Sequence, residues 1–542
     1  MFCTIFSGAL SGVSAYLVGV EVDIDRGLPS FSMVGLLSNE VRESRERVCV
    51  ALKNAGFDLP PNRITVNLSP ADRKKEGTAF DLPIAVGVLK ALGYFPDMEL
   101  EDTLFLGELG LNGEIKKVRG VLPVVKAAAE QGIKECIVPT VNAQEGAVIP
   151  GIRVRGVENI SQLVAFLADR EHGEEVLPTT CIQVEELFKR EDQSCVGDFE
   201  EINGQDGAKR AALIAAAGFH NLLMFGPPGA GKSMIAKRIP GILPPLTLEE
   251  SLEVTSVVSV AGLLEEGKAL LTGRPFQSPH HTITQAAMTG GSILPKPGVI
   301  SLAHRGVLFL DELPEFQRSV LDSLRQPLEE HQIHIARTSG TVTYPANFML
   351  VAAMNPCPCG FHPDKNKCRC TQVQVDKYIG KVSGPILDRF DLCVELQRVD
   401  VRALYNRKNV QKNEKREENK VEKIDGKSVG KKQEKGHGAQ TQNSADMRTR
   451  VIAARKIQEE RFRGTKYRFN GDVEAADIGK FCALGEEQRE FAEQLYCSLQ
   501  ISVRAFHRML KVARTIADLE GYDEITTDHL LEAACYRTGK EF

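Results

Sequence analysis

A glycine-rich run near the middle of the chain has the residue types and spacing of a phosphate-binding loop. It consists of Gly226, Pro227, Pro228, Gly229, Ala230, Gly231, Lys232 and Ser233. In the pattern GxxxxGK[ST], the glycines let backbone N–H groups turn towards the phosphates, the lysine neutralises the β- and γ-phosphates, and the hydroxyl ligates Mg²⁺. A chance glycine turn is the alternative, but an apolar run precedes this loop and a helical pattern follows it. We therefore predict that the loop binds ATP with Mg²⁺.

Two adjacent acids strengthen that prediction. Asp311 and Glu312 directly follow the apolar run 307–310. An aspartate at the end of a buried strand holds Mg²⁺, and a glutamate beside it polarises the water that attacks the γ-phosphate. The alternative is that the two acids are ordinary surface charges, and the phosphate-binding pattern upstream argues against it. The pair predicts hydrolysis of ATP rather than binding alone.

Three further residues have side chains that suit a γ-phosphate. Asn355 follows the apolar run 348–354, so we expect it beside Asp311 as a group that orients water, although asparagine also caps turns. Arg389 and Arg504 come later, and an arginine supplied to the γ-phosphate stabilises the charge of the transfer. Either arginine could instead be a structural ion-pair partner, and spacing alone does not decide this.

Four cysteines form two CxC pairs separated by eight residues: Cys357, Cys359, Cys368 and Cys370. Such pairs can place four thiolates around Zn²⁺. The CxxC spacing is commoner in zinc sites, so a disulfide pair or four free thiols are the alternatives. We favour a structural zinc ion that fixes the loop directly after Asn355.

The elements around these residues predict an α/β fold with a parallel sheet. Between residues 202 and 399 the pattern is strand, glycine loop, helix and further buried strands. Runs 222–225 and 307–310 are continuously apolar, as expected of strands buried on both faces. We assign residues 201–405 to this P-loop core, which carries the cysteine pairs as an insertion.

The segment before the core is predicted to be a separate α+β domain. Residues 1–170 alternate β-type runs, such as 64–68 and 135–139, with helical runs, such as 79–92 and 121–131. A polar linker follows this domain.

The linker covers residues 171–200, and a second polar segment, 406–446, interrupts the chain after the core. The second segment is dominated by Lys, Glu, Gln, Asn and Gly, so it cannot bury enough apolar area to offset chain entropy and is predicted to be disordered. Residues 447–542 have the apolar spacing of a helical domain.

Bulk composition is that of an ordinary globular protein. A chain of this length is expected to form roughly three or four folded units. Its formal net charge of −5 does not point to a nucleic-acid or membrane partner. Residues 1–22 are predicted to be a pair of strands rather than an export signal, and no apolar run is long enough to span a bilayer. We therefore expect a cytoplasmic location.

Several motifs occur in the order found in one known family. They are GPPGAGKS, RPFQSPHH, PGVISLAHRGVLFLDELPEF, AAMNPCPCG, ILDRFD and SVRAFHRMLKVARTIADLEG. Together with the N-terminal block, they make the chain resemble the magnesium-chelatase-like AAA+ proteins of the ComM/YifB family. The resemblance implies a homo-hexameric, ATP-driven DNA motor with helicase activity. Such a motor acts on single-stranded and branched DNA and promotes branch migration when incoming DNA recombines during natural transformation, and other recombination proteins are possible partners.

The resemblance also implies roles for individual residues. Arg389 resembles the arginine finger that reaches the neighbouring subunit's site, and Arg504 the second sensor of a helical lid formed by residues 447–542. Asn355 resembles the first sensor. Ile202 and Gln205 resemble the segment that packs beside adenine.

Two insertions are candidates for DNA contact. Residues 332–344 alternate around a Thr-Ser-Gly turn and are predicted to form a hairpin that carries Arg337. In related ring motors a hairpin at this place lines the pore, and an ordinary surface hairpin is the alternative. The stretch 263–279, with Lys268 and Arg274, resembles the second pore insertion. Phosphate contacts from these residues would be salt-dependent and independent of sequence.

The N-terminal block resembles the proteolytic domain of Lon-type proteases. That chemistry needs a serine nucleophile and a lysine base. In this chain the serine position holds Ala79, and the lysine position falls at or next to Leu122. The resemblance therefore implies a catalytically inactive domain that acts as a scaffold.

Other functions compete with a DNA motor. A chelatase-type ATPase that remodels a protein partner is the main alternative, and stimulation of hydrolysis by DNA distinguishes the two. An ATP-dependent protease is disfavoured by the missing serine and lysine. An ATP-binding regulator is disfavoured because Glu312, Asn355 and Arg389 occur together, and a switch needs no acid that activates water.

Overall fold

The computed structural model describes residues 1–96, 99–189, 197–291, 296–337, 340–364, 366–398 and 443–537. Within them the chain forms an N-terminal α/β part, a parallel-sheet core and a C-terminal group of helices. The predicted disordered segment 406–446 lies outside the described residues, apart from its last four positions. No helix in the described part is both long and apolar enough to cross a lipid bilayer.

The strands follow one another along the chain in this order. They are β1 Phe2–Ser11, β2 Ser14–Asp25, β3 Ser30–Val34, β4 Arg63–Ser69, β5 Thr103–Phe105, β6 Glu108–Leu109, β7 Ile115–Lys116, β8 Glu135–Pro139, β9 Arg153–Val157, β10 Leu222–Phe225, β11 Phe276–Gln277, β12 Val307–Leu310, β13 Gln332–Arg337, β14 Gly340–Pro345, β15 Met349–Met354 and β16 Leu392–Glu395.

The helices lie before, between and after these strands. They are α1 Asn39–Asn54, α2 Asp81–Leu92, α3 Val121–Glu130, α4 Thr140–Gly146, α5 Ile160–Ala168, α6 Gly173–Val176, α7 Val184–Lys189, α8 Asp206–Gly218, α9 Lys232–Ile242, α10 Leu248–Ala261, α11 Gln285–Thr289, α12 Val299–Leu302, α13 Arg318–Asp322, α14 Arg325–Glu330, α15 Gln372–Ile379, α16 Gly384–Leu387, α17 Ser444–Arg461, α18 Ile478–Phe481, α19 Glu486–Leu499, α20 Val503–Glu520 and α21 Thr527–Cys535.

The N-terminal part is built on a mixed sheet with the strand order β3-β4-β2-β1-β5-β8-β9. The predicted pair of strands at the start of the chain is confirmed, because β1 and β2 are antiparallel neighbours across a tight turn. The predicted strands 64–68 and 135–139 are β4 and β8, and the predicted helices 79–92 and 121–131 are α2 and α3. The linker contains the short helices α6 and α7, so part of it is ordered.

The core sheet is parallel, with the strand order β11-β12-β15-β10-β16. Alternate side chains of its central strands enter two separate apolar clusters. In β10, Leu222 and Met224 join the cluster that includes α8 and α9, whereas Leu223 and Phe225 join the cluster that includes α13. This explains the continuous apolar runs, since both faces of these strands are buried.

The C-terminal helices pack against α8 and α9 of the core. Helix α17 begins at Ser444, three residues before the predicted start of the helical domain at residue 447. The side chain of Asn443 accepts a hydrogen bond from the Asp446 backbone N–H at 2.7 Å. An asparagine in this position satisfies a free N–H of the first turn, which extends the helix into the polar segment.

Candidate ATPase site

The phosphate-binding loop joins β10 to α9, as predicted. Gly229 and Gly231 have φ values of 75° and 94°, in the left-handed region that favours glycine. At Gly226 a Cβ would collide with the carbonyl oxygen of Leu396, so this position also requires glycine. The loop ends at the amino end of α9, where free N–H groups and the helix dipole favour the binding of an anion.

Lys232 is the first residue of α9, and its side chain is held inside the loop. Its Nζ donates hydrogen bonds to the carbonyl oxygens of Gly226 at 2.6 Å and Pro227 at 3.1 Å, and to Oδ1 of Asn355 at 3.0 Å. Burial lowers the pKa of Lys232, and the carboxylates of Asp311 and Glu312 oppose part of that effect. The ammonium group is thus positioned to neutralise phosphate charge.

The predicted magnesium ligands lie side by side. The hydroxyl of Ser233 donates to Oδ2 of Asp311 at 2.7 Å. A hydroxyl and a carboxylate are hard oxygen ligands that suit Mg²⁺, which usually also takes substrate phosphates and waters. The residues therefore fit Mg²⁺ with ATP, and the ion would neutralise charge on the phosphates.

Glu312 lies at the same edge of the sheet and faces outwards. Its backbone N–H donates to Oδ1 of Asp311 at 3.0 Å, and its side chain is 56% exposed. Its φ of 52° is unusual for a residue with a side chain, and such strain often accompanies functional sites. A hydrated carboxylate beside the magnesium ligands can accept a proton from water.

One neighbour of Glu312 was not predicted to act at the site. Nδ1 of His281 lies 3.7 Å from Oε2 of Glu312. His281 is the last residue of the RPFQSPHH motif, which contains β11 at the edge of the core sheet. The motif could be recognised in the sequence, but its contact with Glu312 could not be predicted because the two are far apart along the chain.

Asn355 directly follows β15, as predicted, and its side chain reaches the loop lysine. Burial raises the pKa of Tyr378 to about 12, and the backbone N–H of Asn355 opposes part of that effect. Asn355 therefore contacts the loop lysine through its side chain and interacts with Tyr378 through its backbone.

The two residues predicted to lie beside adenine differ in their surroundings. Gln205 donates through Nε2 to the carbonyl oxygens of Ala230 at 3.2 Å and Gln397 at 2.5 Å, so it contacts the loop directly. Ile202 is 4% exposed and belongs to the main apolar cluster of the core.

Arg389 lies at the edge of the core sheet opposite the phosphate loop. Its carbonyl oxygen accepts from Nδ2 of Asn221 at 3.0 Å, and Asn221 directly precedes β10. The loop begins at the other end of β10, whose four residues span about 13 Å. The guanidinium pairs with Glu329 of α14 and is mostly buried.

Arg504 lies on the same side of the core as Arg389. Its helix, α20, approaches this edge through a hydrogen bond of 2.8 Å between Thr515 and His220. Burial is the main cause that lowers the pKa of Arg389, and the positive charges of Arg508 and Arg504 add to it. Neither predicted arginine is therefore placed at the P-loop of its own chain.

The predicted cysteine cluster is present. The four sulfur atoms of Cys357, Cys359, Cys368 and Cys370 all lie within 4.8 Å of one another. Cys357 is buried, and its sulfur accepts from the backbone N–H of His362 at 3.4 Å. Four thiols at such distances can converge on one metal ion.

Comparison with known proteins places this site in a family. Residues 198–404 match the family described as "Magnesium chelatase, subunit ChlI", residues 20–142 match "Subunit ChlI of Mg-chelatase", and residues 441–537 match "Magnesium chelatase, subunit ChlI C-terminal". The chain is 40% identical over 533 residues to the competence protein ComM of Haemophilus influenzae, with 98% of this chain and 97% of that protein covered. It is also 40% identical over 529 residues to the uncharacterized protein YifB of Salmonella typhimurium, with 98% and 96% covered. The chain belongs to the ComM/YifB family of magnesium-chelatase-like proteins.

A more distant similarity covers part of this ComM/YifB-family chain. It is 25% identical over 216 residues to the magnesium-chelatase 38 kDa subunit of Cereibacter sphaeroides, with 37% of this chain and 58% of that protein covered. Family membership and the geometry around Lys232 together indicate an AAA+-type ATPase that uses ATP with Mg²⁺.

The three basic residues predicted to contact DNA have different surroundings in this ComM/YifB-family chain. The side chain of Arg274 is only 7% exposed, and it donates to the carbonyl oxygens of Pro244 at 2.6 Å and Arg305 at 2.8 Å and to Glu250 at 3.0 Å. This corrects the expectation of an accessible phosphate contact, because its donors are used within the chain and burial lowers its pKa.

The other two basic residues remain candidates. Lys268 is 43% exposed, with its Nζ 3.8 Å from a carboxylate oxygen of Glu265. Its segment rests on the N-terminal part, where Ala269 and Leu270 are buried. Arg337 ends strand β13 of the predicted hairpin, which is confirmed, but its side chain lies outside the described residues.

Proposed function

We propose that this chain is the subunit of a homo-hexameric, ATP-driven DNA motor. In this proposal it promotes branch migration when incoming DNA recombines during natural transformation. The proposal of a ring is supported by the positions of the charged groups. Lys232 and Glu312 lie at one edge of the core sheet, and Arg389 lies at the opposite edge. The DNA role is supported by the 40% identity to the competence protein ComM over nearly the whole chain.

The residues of one site share the work of hydrolysis. Lys232 binds the β- and γ-phosphates, and Ser233 and Asp311 hold the magnesium ion. Glu312 accepts a proton from the attacking water, and Asn355 orients that water next to Lys232.

The neighbouring subunit completes the site. Its Arg389 stabilises the charge that develops on the γ-phosphate. Because Arg504 lies near Arg389, we assign it to the same neighbouring site, on a lid formed by the C-terminal helices. A head-to-tail ring brings the two opposite edges of successive subunits together.

DNA would then be moved by elements that face the pore. We assign this contact to Lys268 and to Arg337 at the tip of the β13–β14 hairpin. The N-terminal part would serve as a scaffold of the Lon-protease type without proteolytic chemistry, since Ala79 replaces the nucleophile.

The first test is the rate of ATP hydrolysis with and without single-stranded, duplex and branched DNA at several salt concentrations. We expect DNA to stimulate hydrolysis, and we expect added salt to weaken the stimulation because phosphate contacts release counterions. Glu312→Gln protein is the control for contaminating ATPases. An intact basal rate in assembled rings that no DNA raises would contradict the DNA-motor proposal.

A second candidate function is remodelling of a protein partner by a chelatase-type ATPase. It is favoured by the similarity to the magnesium-chelatase 38 kDa subunit. If DNA does not stimulate ATP hydrolysis in the same experiment, this candidate function is favoured.

We also propose that the four-cysteine cluster binds a structural zinc ion. The purified protein is then expected to hold about one zinc ion per chain, because four thiolates match the usual number of ligands at a structural zinc site. Elemental analysis of protein prepared without chelators measures this ratio. Cys181→Ser, which changes an exposed cysteine outside the cluster, should keep the metal. Wild-type protein with no zinc and four titratable thiols at the cluster would exclude the site.

A further inference from the structure

The cysteine loop, residues 357–370, touches the phosphate-binding loop. Gly360 has a φ of 81°, and a Cβ at this position would lie 2.5 Å from Cδ of Pro228. Pro228 belongs to the phosphate loop, two residues after Gly226. The backbone at Gly360 therefore packs directly against the loop that receives the ATP phosphates.

Both ends of the cysteine loop are connected to Asn355. Cys357 lies two residues after Asn355, and Cys370 is followed at once by helix α15, which is capped by Thr371. The hydroxyl of Tyr378, near the end of that helix, interacts with the Asn355 backbone N–H. The cysteine loop thus connects two walls of the phosphate site, Pro228 and Asn355.

Little apolar packing holds the cysteine loop in place. Within the described part of 356–371, only Cys357 and Gly360 are buried. The described residues of the loop make four local backbone hydrogen bonds, among them Gly360 N–H to the Cys357 oxygen at 2.9 Å and Cys368 N–H to the Asp364 oxygen at 2.7 Å. In a segment without a core of its own, metal binding supplies much of the folding free energy.

We propose that the metal held by the four cysteines positions the phosphate loop and thereby sets the affinity for ATP. Gly360 is the positioning residue, because it transmits the shape of the metal-bound loop to Pro228. The inference rests on the proposed zinc site and extends it from a structural to a nucleotide-binding role. When the metal is lost, fewer chains hold the phosphate loop in its binding shape, and the apparent Kd rises in inverse proportion to that fraction.

The first experiment removes the metal and measures ATP binding in the full chain. Cys359→Ser and wild-type protein are compared by zinc content and by titration with a fluorescent ATP analogue, with Cys181→Ser as the control. We expect Cys359→Ser to lose zinc and to bind the analogue about tenfold more weakly or worse, as a tenfold fall in the competent fraction requires. If Cys359→Ser fails to fold, wild-type protein is stripped with a chelator and then reloaded with zinc, which should restore the wild-type Kd.

The second experiment keeps the metal and disturbs only the contact with Pro228. Gly360→Ala adds the colliding Cβ and leaves all four cysteines intact. Gly132→Ala is the matched control, since Gly132 has a similar φ of 84° with open space around it. We expect Gly360→Ala to keep its zinc but to bind the ATP analogue about tenfold more weakly, by the same argument as for metal loss. Gly132→Ala should match the wild-type Kd.

The outcomes separate this inference from the zinc site and from the motor. Wild-type protein without zinc would remove both the zinc site and the inference. If wild-type protein holds zinc but its Kd for the ATP analogue does not change when the zinc is removed, the inference alone is overturned. The same holds if Gly360→Ala binds the analogue with wild-type affinity. DNA stimulation is measured separately, so its failure does not affect this conclusion.

Discussion

Replacing Glu312 with glutamine is expected to lower ATP hydrolysis by about 100-fold or more, with binding of ATP retained. The amide keeps the size of the side chain but cannot accept a proton from water. The loop lysine, Ser233 and Asp311 keep their hydrogen bonds, so the phosphate and magnesium ligands remain in place. Single-turnover hydrolysis and titration with an ATP analogue measure the two effects separately.

The matched control is Glu315→Gln, which removes a nearby carboxylate outside the site. Glu315 is 41% exposed and pairs with Lys381 at 3.0 Å. Because exposed ion pairs contribute about 0–1 kcal/mol to stability, this variant should hydrolyse ATP at nearly the wild-type rate. Equal rates for Glu312→Gln and wild type would show that another group activates the water.

The strand, loop and helix around Lys232 could be predicted because their signals are local. A continuous apolar run gives β10, glycines give the turn, and the helical pattern begins at the lysine. Asp311 and Asn355 were predictable for the same reason, since each ends a buried strand and parallel strands share one carboxyl edge. The cysteine cluster was also predictable, because its two pairs are close in sequence.

The surroundings of Arg274 could not be predicted because its partners come from three separate segments. Pro244 and Glu250 lie before it and Arg305 after it, and only the folded chain brings their oxygens to one guanidinium. Arg504 is a similar case. Its motif predicts a role towards a γ-phosphate, but the packing of α20 against His220 decides which edge of the core it faces.

The contact between Gly360 and Pro228 has the same origin. Each residue belongs to a motif that was recognised in the sequence, yet the motifs are far apart along the chain. Motif spacing predicts what each segment binds, whereas the folded chain shows which segments touch. In the part of the chain that the structure describes, Arg389 and Arg504 both lie away from the phosphate loop, although the family pattern directs both to a γ-phosphate.

Combining two inactive variants is therefore expected to restore hydrolysis. Arg389→Ala alone should lower the rate by about 1,000-fold, since an arginine finger contributes 10³–10⁵ in rate. Lys232→Ala alone should abolish ATP binding at its own site. In rings mixed at equal amounts, an Arg389→Ala subunit next to a Lys232→Ala subunit forms a complete site. Random head-to-tail mixing makes about one quarter of the sites complete.

The recovered rate is measured against rings that mix Lys232→Ala with a Lys232→Ala, Arg389→Ala double variant, which cannot form a complete site. Folding is not expected to confound the result, because Glu329, the partner of Arg389, is 58% exposed and stays hydrated when the arginine is removed. If mixed rings of confirmed composition stay inactive, Arg389 does not act on its neighbour. Recovery near one quarter of the wild-type rate would mean that each ATP site is built from the lysine edge of one subunit and the arginine edge of the next.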